Sequence, residues 1–176
     1  PPIEFLKLLS FGYPQWMSDM YWLKVIGHFG DASMHRAHYP LLGPLLDRVL
    51  QLDPYFVNAY LFAGNIMSLK GMDPKLAEHL LEQGQKMRPD SWQIHYLRGF
   101  NELDLNQNRD AALIALSKAV VLPNAPPVVK TLASRLAVEH ISSNMGLELL
   151  ETLIEQEENE ELRQIYITRY KLLHDR

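Results

Sequence analysis

The chain has 176 residues, 47% hydrophobic, 22% charged and 10% aromatic, which is ordinary for a globular fold with enough length to bury a sizeable core. A net charge of -4 argues against non-specific nucleic-acid binding, which needs a basic face to displace counterions. The absence of cysteine excludes disulfides, thiolate catalysis and cysteine-based zinc sites.

No run of about 18 apolar residues is present, so no segment of this sequence is expected to insert in a membrane. The opening PPIEFLKLLSFGY has one lysine and no initiator methionine, and it does not read as a signal peptide. A start at Pro1 implies further chain upstream. An export signal or inner-membrane anchor there would place the protein in the periplasm, and otherwise it is cytoplasmic.

Taken in chain order, a short apolar helix is expected over Ile3 to Leu9, and a longer one, PQWMSDMYWLKVIGHFG, from Pro14. A loop from Asp31 to Tyr39 follows, and its neighbourhood holds His28, His35 and His38. His35 and His38 are three apart and would share a face of a helix, as metal ligands can. The segment contains Gly30 and no accompanying zincin-type glutamate, so loop histidines packed on a tyrosine are the simpler reading. The next helix is LLGPLLDRVLQLDP, with Leu42, Leu46 and Val49 on one stripe.

From Pro54 onward the chain repeats itself. Pro54 precedes Gly64 by ten residues, Pro89 precedes Gly99 by ten, and Pro123 precedes Ala133 by ten. Gly64 and Gly99 lie 35 apart, as do Ala77 and Ala112, Leu81 and Leu116, and Gly84 and Ala119. A third unit continues with Ala133, Gly146, Leu150 and Leu153. Each unit reads as a helix, a short turn and an antiparallel helix. In the first, Phe56, Tyr60, Ala63 and Met67 make the leading stripe, and Asp73 with Pro74 opens the second helix. The small residues are expected where two helices approach closely, Gly64 on Ala77 and Gly99 on Ala112. The prolines end each unit, because they cannot continue the hydrogen-bond ladder.

These residues resemble the tetratricopeptide repeat, whose period is about 34 residues with a small-residue, aromatic and proline signature. The matches are Tyr60 and Gly64, Ala77, Leu81, Gly84 and Pro89, then Gly99, Ala112, Leu116, Ala119 and Pro123. Arg98 and His95 depart from the pattern, and two units carry one extra residue in the inner turn. The resemblance implies an all-α, right-handed superhelical solenoid of antiparallel helix pairs, forming one domain over residues 1–176. Its repeats fall near 14–54, 55–89, 90–123 and 124–157. An extra helix precedes them, and a capping helix over 159–174 carries Leu162, Ile165, Tyr166, Tyr170 and Leu173 on its apolar side.

No chemistry stands out beside this. There is no G-x-S-x-G and no phosphate loop. The acidic run from Glu155 to Glu161 lacks EF-hand spacing and reads as a solvated turn. The resemblance implies instead a non-enzymatic scaffold, without cofactor, that takes a peptide or protein partner in a groove lined by the first helix of each repeat. That register puts Asn58, Leu61, Asn65 and Ser68 on the groove, then Gln93, Tyr96, Phe100 and Leu103, then Pro127, Lys130, Ser134 and Ala137. Within it Asn65 would hydrogen-bond a ligand backbone, and Tyr96 with Phe100 would form an aromatic floor; the same apolar stripe equally suits Phe100 and Leu103 being covered by the N-terminal helices. Only Asn65 and Lys130 suit a carboxylate clamp, which disfavours a receptor for chaperone tails. Two other classes stay open: an assembly subunit that self-associates through its repeats, and an accessory domain of a larger enzyme.

Overall fold

The computed structural model of the chain describes residues 2–31, 39–69, 72–139 and 144–175. All regular structure among them is helical, so the all-α expectation holds. The chain divides into two compact units, Pro1–Pro89 and Asp90–Arg176.

The first unit begins with α1 (Ile3–Leu9) and α2 (Pro14–Gly30), at the bounds read from the sequence. Pro14 opens α2 because its missing N–H is unneeded in a first helical turn. α2 packs along α3 (Leu42–Leu52), burying Val25 against Leu42, Leu46 and Val49, all inaccessible to solvent. Ser18 is also buried, and its Oγ donates to the Val49 carbonyl at 3.0 Å, which removes the cost of an unpaired polar group there. α4 (Val57–Phe62) continues directly into a π-helical segment, Ala63–Met67. Rings tie α2 to this helix: Trp22 meets Phe56 at 5.4 Å and Phe62 at 5.7 Å, and Phe29 meets Phe62 at 5.2 Å. α5 (Pro74–Met87) closes the unit. Its start is the expected one, with Asp73 Oδ1 accepting from the Leu76 N–H at 3.0 Å and Pro74 in the first turn.

The second unit holds α6 (Trp92–Asp104), α7 (Arg109–Val120), α8 (Pro127–Glu139), α9 (Asn144–Gln156) and α10 (Glu160–His174). Asn108 and Asn159 cap α7 and α10, each side-chain oxygen accepting a backbone N–H at 3.1 Å. Leucines and alanines of α7, α8 and α9 form a continuous core that Tyr166 and Leu173 of α10 join. Ile165, expected on the apolar side of that helix, is 43% exposed.

Gly99 explains why α6 and α7 pack so closely. A Cβ there would stand 2.8 Å from Leu116 Cγ and 3.1 Å from the Ala112 carbonyl oxygen. The expected approach of Gly99 to Ala112 is therefore an approach to backbone, with Leu116 filling the remaining space. Gly146 repeats the arrangement against the Ala137 carbonyl and Leu173.

The two turns differ in form. Before α5 the helix that begins as α4 widens to π geometry across Ala63–Met67, where Gly64 is buried. Before α7, α6 stays regular to Asp104, and the turn contains Gln107 at a φ of 53°.

Candidate functional site

α6 presents three aromatic residues at four-residue intervals, Trp92, Tyr96 and Phe100. That spacing stacks side chains along one line of a helix. The ring centroids are 6.4 Å apart between Trp92 and Tyr96, and 6.2 Å between Tyr96 and Phe100, with tilted planes in both pairs. These are offset aromatic contacts rather than face-to-face stacks. The line runs beside the core face of α6, where Ile94, His95, Leu97, Gly99 and Glu102 are buried. Trp92, Tyr96 and Leu103 pack against the core from its edge, while Phe100 is 43% exposed. The result is a ladder anchored at its inner edge and open at its outer end. It can hold an apolar or aromatic side chain by stacking, and its donors are the Tyr96 hydroxyl and the Trp92 indole N–H.

Of the expected groove residues, Tyr96 and Phe100 are thus brought together, and Trp92 joins them. The sequence register passed over Trp92, although its four-residue offset from Tyr96 was visible. Gln93 sits partly buried at the start of α6, where its Oε1 accepts from Ser91 Oγ at 3.1 Å. Lys130 and Ser134 are engaged inside the second unit. Lys130 Nζ lies 3.2 Å from Glu157 Oε2, with the two side chains only 19% and 10% exposed. Ser134 is fully buried and accepts a hydrogen bond from Arg169 of α10, which also donates to the Thr131 carbonyl at 3.3 Å. Burial, and then the charge of Arg135, lowers the Arg169 pKa from its ordinary value.

In the first unit Asn58 is exposed and Leu61 half-buried. Asn65 is exposed within the π segment, and its Nδ2 donates to the Leu61 carbonyl at 2.8 Å. Ser68 does the same to the Gly64 carbonyl at 2.7 Å. Both side chains thus hydrogen-bond backbone oxygens of their own widened helix turn. This takes up one of the two Asn65 N–H groups expected to face a ligand.

His28 lies in the last turn of α2, where it accepts from the Leu41 backbone N–H at 3.4 Å and its ring meets Tyr39 edge-on at 6.0 Å, so it packs on a tyrosine as expected but from the helix rather than the loop. His35 and His38 lie outside the described residues. Among the described residues no group of three His, Asp or Glu could hold a metal ion. In the acidic run Glu160 contacts Arg163 and Gln164 of its own helix, while Glu157, expected in a solvated turn, is nearly buried in its pair with Lys130 of α8. No described helix is long and apolar enough to cross a membrane. No protein-family model, curated protein or solved structure matches the chain.

Proposed function

We propose that the chain is a tetratricopeptide-type repeat protein whose helix pairs stack as in a solenoid, and that it works by binding a peptide or protein segment. The observation that carries this reading is the ladder Trp92–Tyr96–Phe100, anchored on the core and open at Phe100. It lies on the first helix of a hairpin, on the face that the repeat register assigns to ligand. The close approach at Gly99, on a marker residue of the repeat, supports the register itself. No bond is made or broken. Rigid aromatic rings bury large area at low entropic cost, which is why such residues dominate binding surfaces.

The test is a random-peptide display selection on the purified protein, followed by titration of the recovered peptides. Phe100→Ala is expected to weaken binding by about tenfold or more. Ile114→Ala, on α7 and equally exposed at 43%, is the control and should bind like the parent. Equal affinity of the Phe100 variant, or failure to enrich any peptide, would count against the reading.

A further inference from the structure

The corner where α10 meets α8 gathers two guanidinium groups, and neither has a carboxylate within ion-pair distance among the described residues. Arg169 of α10 is half-buried there, and it donates to Ser134 and, at 3.3 Å, to the Thr131 carbonyl. Those two bonds fix the guanidinium against the turn of α8 that begins at Thr131. Arg135 follows Thr131 by four residues, so it stands on the same line of α8, one turn further on, and it is exposed. The nearest carboxylates along these elements are engaged elsewhere. Glu139, one turn beyond Arg135, faces Arg109 at 3.8 Å. Glu157 is held by Lys130 at 3.2 Å and by the Asn159 backbone N–H, also at 3.2 Å.

Acceptors are equally scarce at this corner. Ser134 Oγ donates to the Thr131 carbonyl at 3.0 Å and accepts from Arg169, so both oxygens are occupied. Tyr166 Oη, on the same helix three residues before Arg169, is fully buried and has no hydrogen-bond partner among the described residues. The donors left over are the Nε and Nη2 edge of Arg169 and the whole Arg135 guanidinium. By itself the arrangement is unfavourable. Burial, and then the charge of Arg135, lower the Arg169 pKa, so folding works against this cation rather than for it. A purely structural arginine clasp would have an acidic residue in one of the two places, as Lys130 has Glu157 a turn away.

We propose that Arg135 and Arg169 form an oxyanion-binding site at the α8–α10 corner, which takes a phosphate or carboxylate group between the free edge of Arg169 and the Arg135 guanidinium. A planar guanidinium presents parallel N–H groups that match two oxygens of such a group, and the second arginine balances the charge of a dianion. Arg169 is held in place by Ser134 and Thr131 before any ligand arrives, so only the exposed Arg135 has to order on binding. Neither arginine belongs to the stripe that the repeat register assigns to a groove.

The test uses the intact chain with 15N-labelled arginine, titrated separately with inorganic phosphate and with succinate at an ionic strength held constant by chloride. Saturable shifts at the Nε–H resonances of Arg135 and Arg169 are expected, with a dissociation constant on the order of 1 mM or below. Arg135→Gln should weaken the binding by about tenfold or more. Saturation by phosphate alone names a phosphate ester as the ligand group, and saturation by succinate alone names a carboxylate. A second readout separates a ligand site from a structural contact. Arg135→Gln removes the charge that opposes Arg169, so in chloride its Tm should equal or exceed the parent's, while phosphate should raise the parent's Tm by more than the variant's. Shifts that grow linearly with both ions would mean an adventitious ion only and overturn the proposal. So would an Arg135→Gln variant that binds like the parent, or one that melts below it in chloride. The α6 ladder takes no part in these readouts, so the two proposals fail separately.

Discussion

Gly99→Ala tests the helix contact on which the second unit is built. In an open helix the change would stabilise by about 1 kcal/mol, since alanine loses less backbone entropy than glycine. Here the new methyl would stand 2.8 Å from Leu116 Cγ, well inside the roughly 3.5–4.0 Å at which carbons attract. Leu116 cannot swing away, because it is fully buried among Ala112, Leu113 and Ala119. The third neighbour, the Ala112 carbonyl at 3.1 Å, is backbone. Overpacking of this kind typically costs about 1–3 kcal/mol. The net expectation is a loss of about 1 kcal/mol, or about 2–4 °C in Tm for a chain of this size, and Gly99→Leu should lose more. Gly27→Ala supplies the contrast, because nothing described lies within 4 Å of its Cβ position and helix propensity acts alone. It should gain up to about 1 kcal/mol. Urea denaturation followed by circular dichroism gives the signs. Shifts of the same sign would refute the reasoning.

Two further perturbations probe buried polar groups. Tyr60 is fully buried and donates to the Pro54 carbonyl at 2.8 Å. Burial first, and the Asp53 charge second, push its pKa up to about 12 from 10.0. The folded state therefore favours the neutral phenol. Its contribution is complete below pH 10 and is lost as pH rises toward 12. Tyr60→Phe should flatten this part of the stability–pH curve measured by thermal melts. Lys130→Met would leave the Glu157 carboxylate, only 10% exposed, with the Asn159 backbone N–H at 3.2 Å but no cation, at an expected cost of about 1–3 kcal/mol. Adding Glu157→Gln should recover part of that loss in the same denaturation assay.

Helix existence and helix starts were the most legible features. Asp73–Pro74, Asn108 and Pro14 each act through local chemistry, and α1, α2 and α10 begin within a residue of the expected positions. Which side of a helix faces solvent was harder, because it depends on what packs against it. Lys130 and Ser134 count as groove residues by register, yet Glu157 of the α9–α10 link and Arg169 of α10 meet them. Nothing in the local pattern announces that the Arg169 guanidinium arrives at Thr131 from 38 residues away, or that Glu157 reaches Lys130 from 27. Asn65 shows a second limit. Counting from Pro54 assumes 3.6 residues per turn, and the π segment breaks that count where Asn65 sits.

The seating of α10 carries a consequence for how the second unit ends. Apolar stacking alone is permissive, and any amphipathic helix of suitable width would cover the face of α8. The bonds from Arg169 to Ser134 and to the Thr131 carbonyl add direction to that stacking. A foreign helix grafted in place of α10 would leave Ser134 its bond to the Thr131 carbonyl at 3.0 Å, inside its own helix, but would lose the guanidinium that orients α10 on α8. Apolar burial of Tyr166 and Leu173 holds α10 on the core, and Arg169 selects the angle at which it lies there.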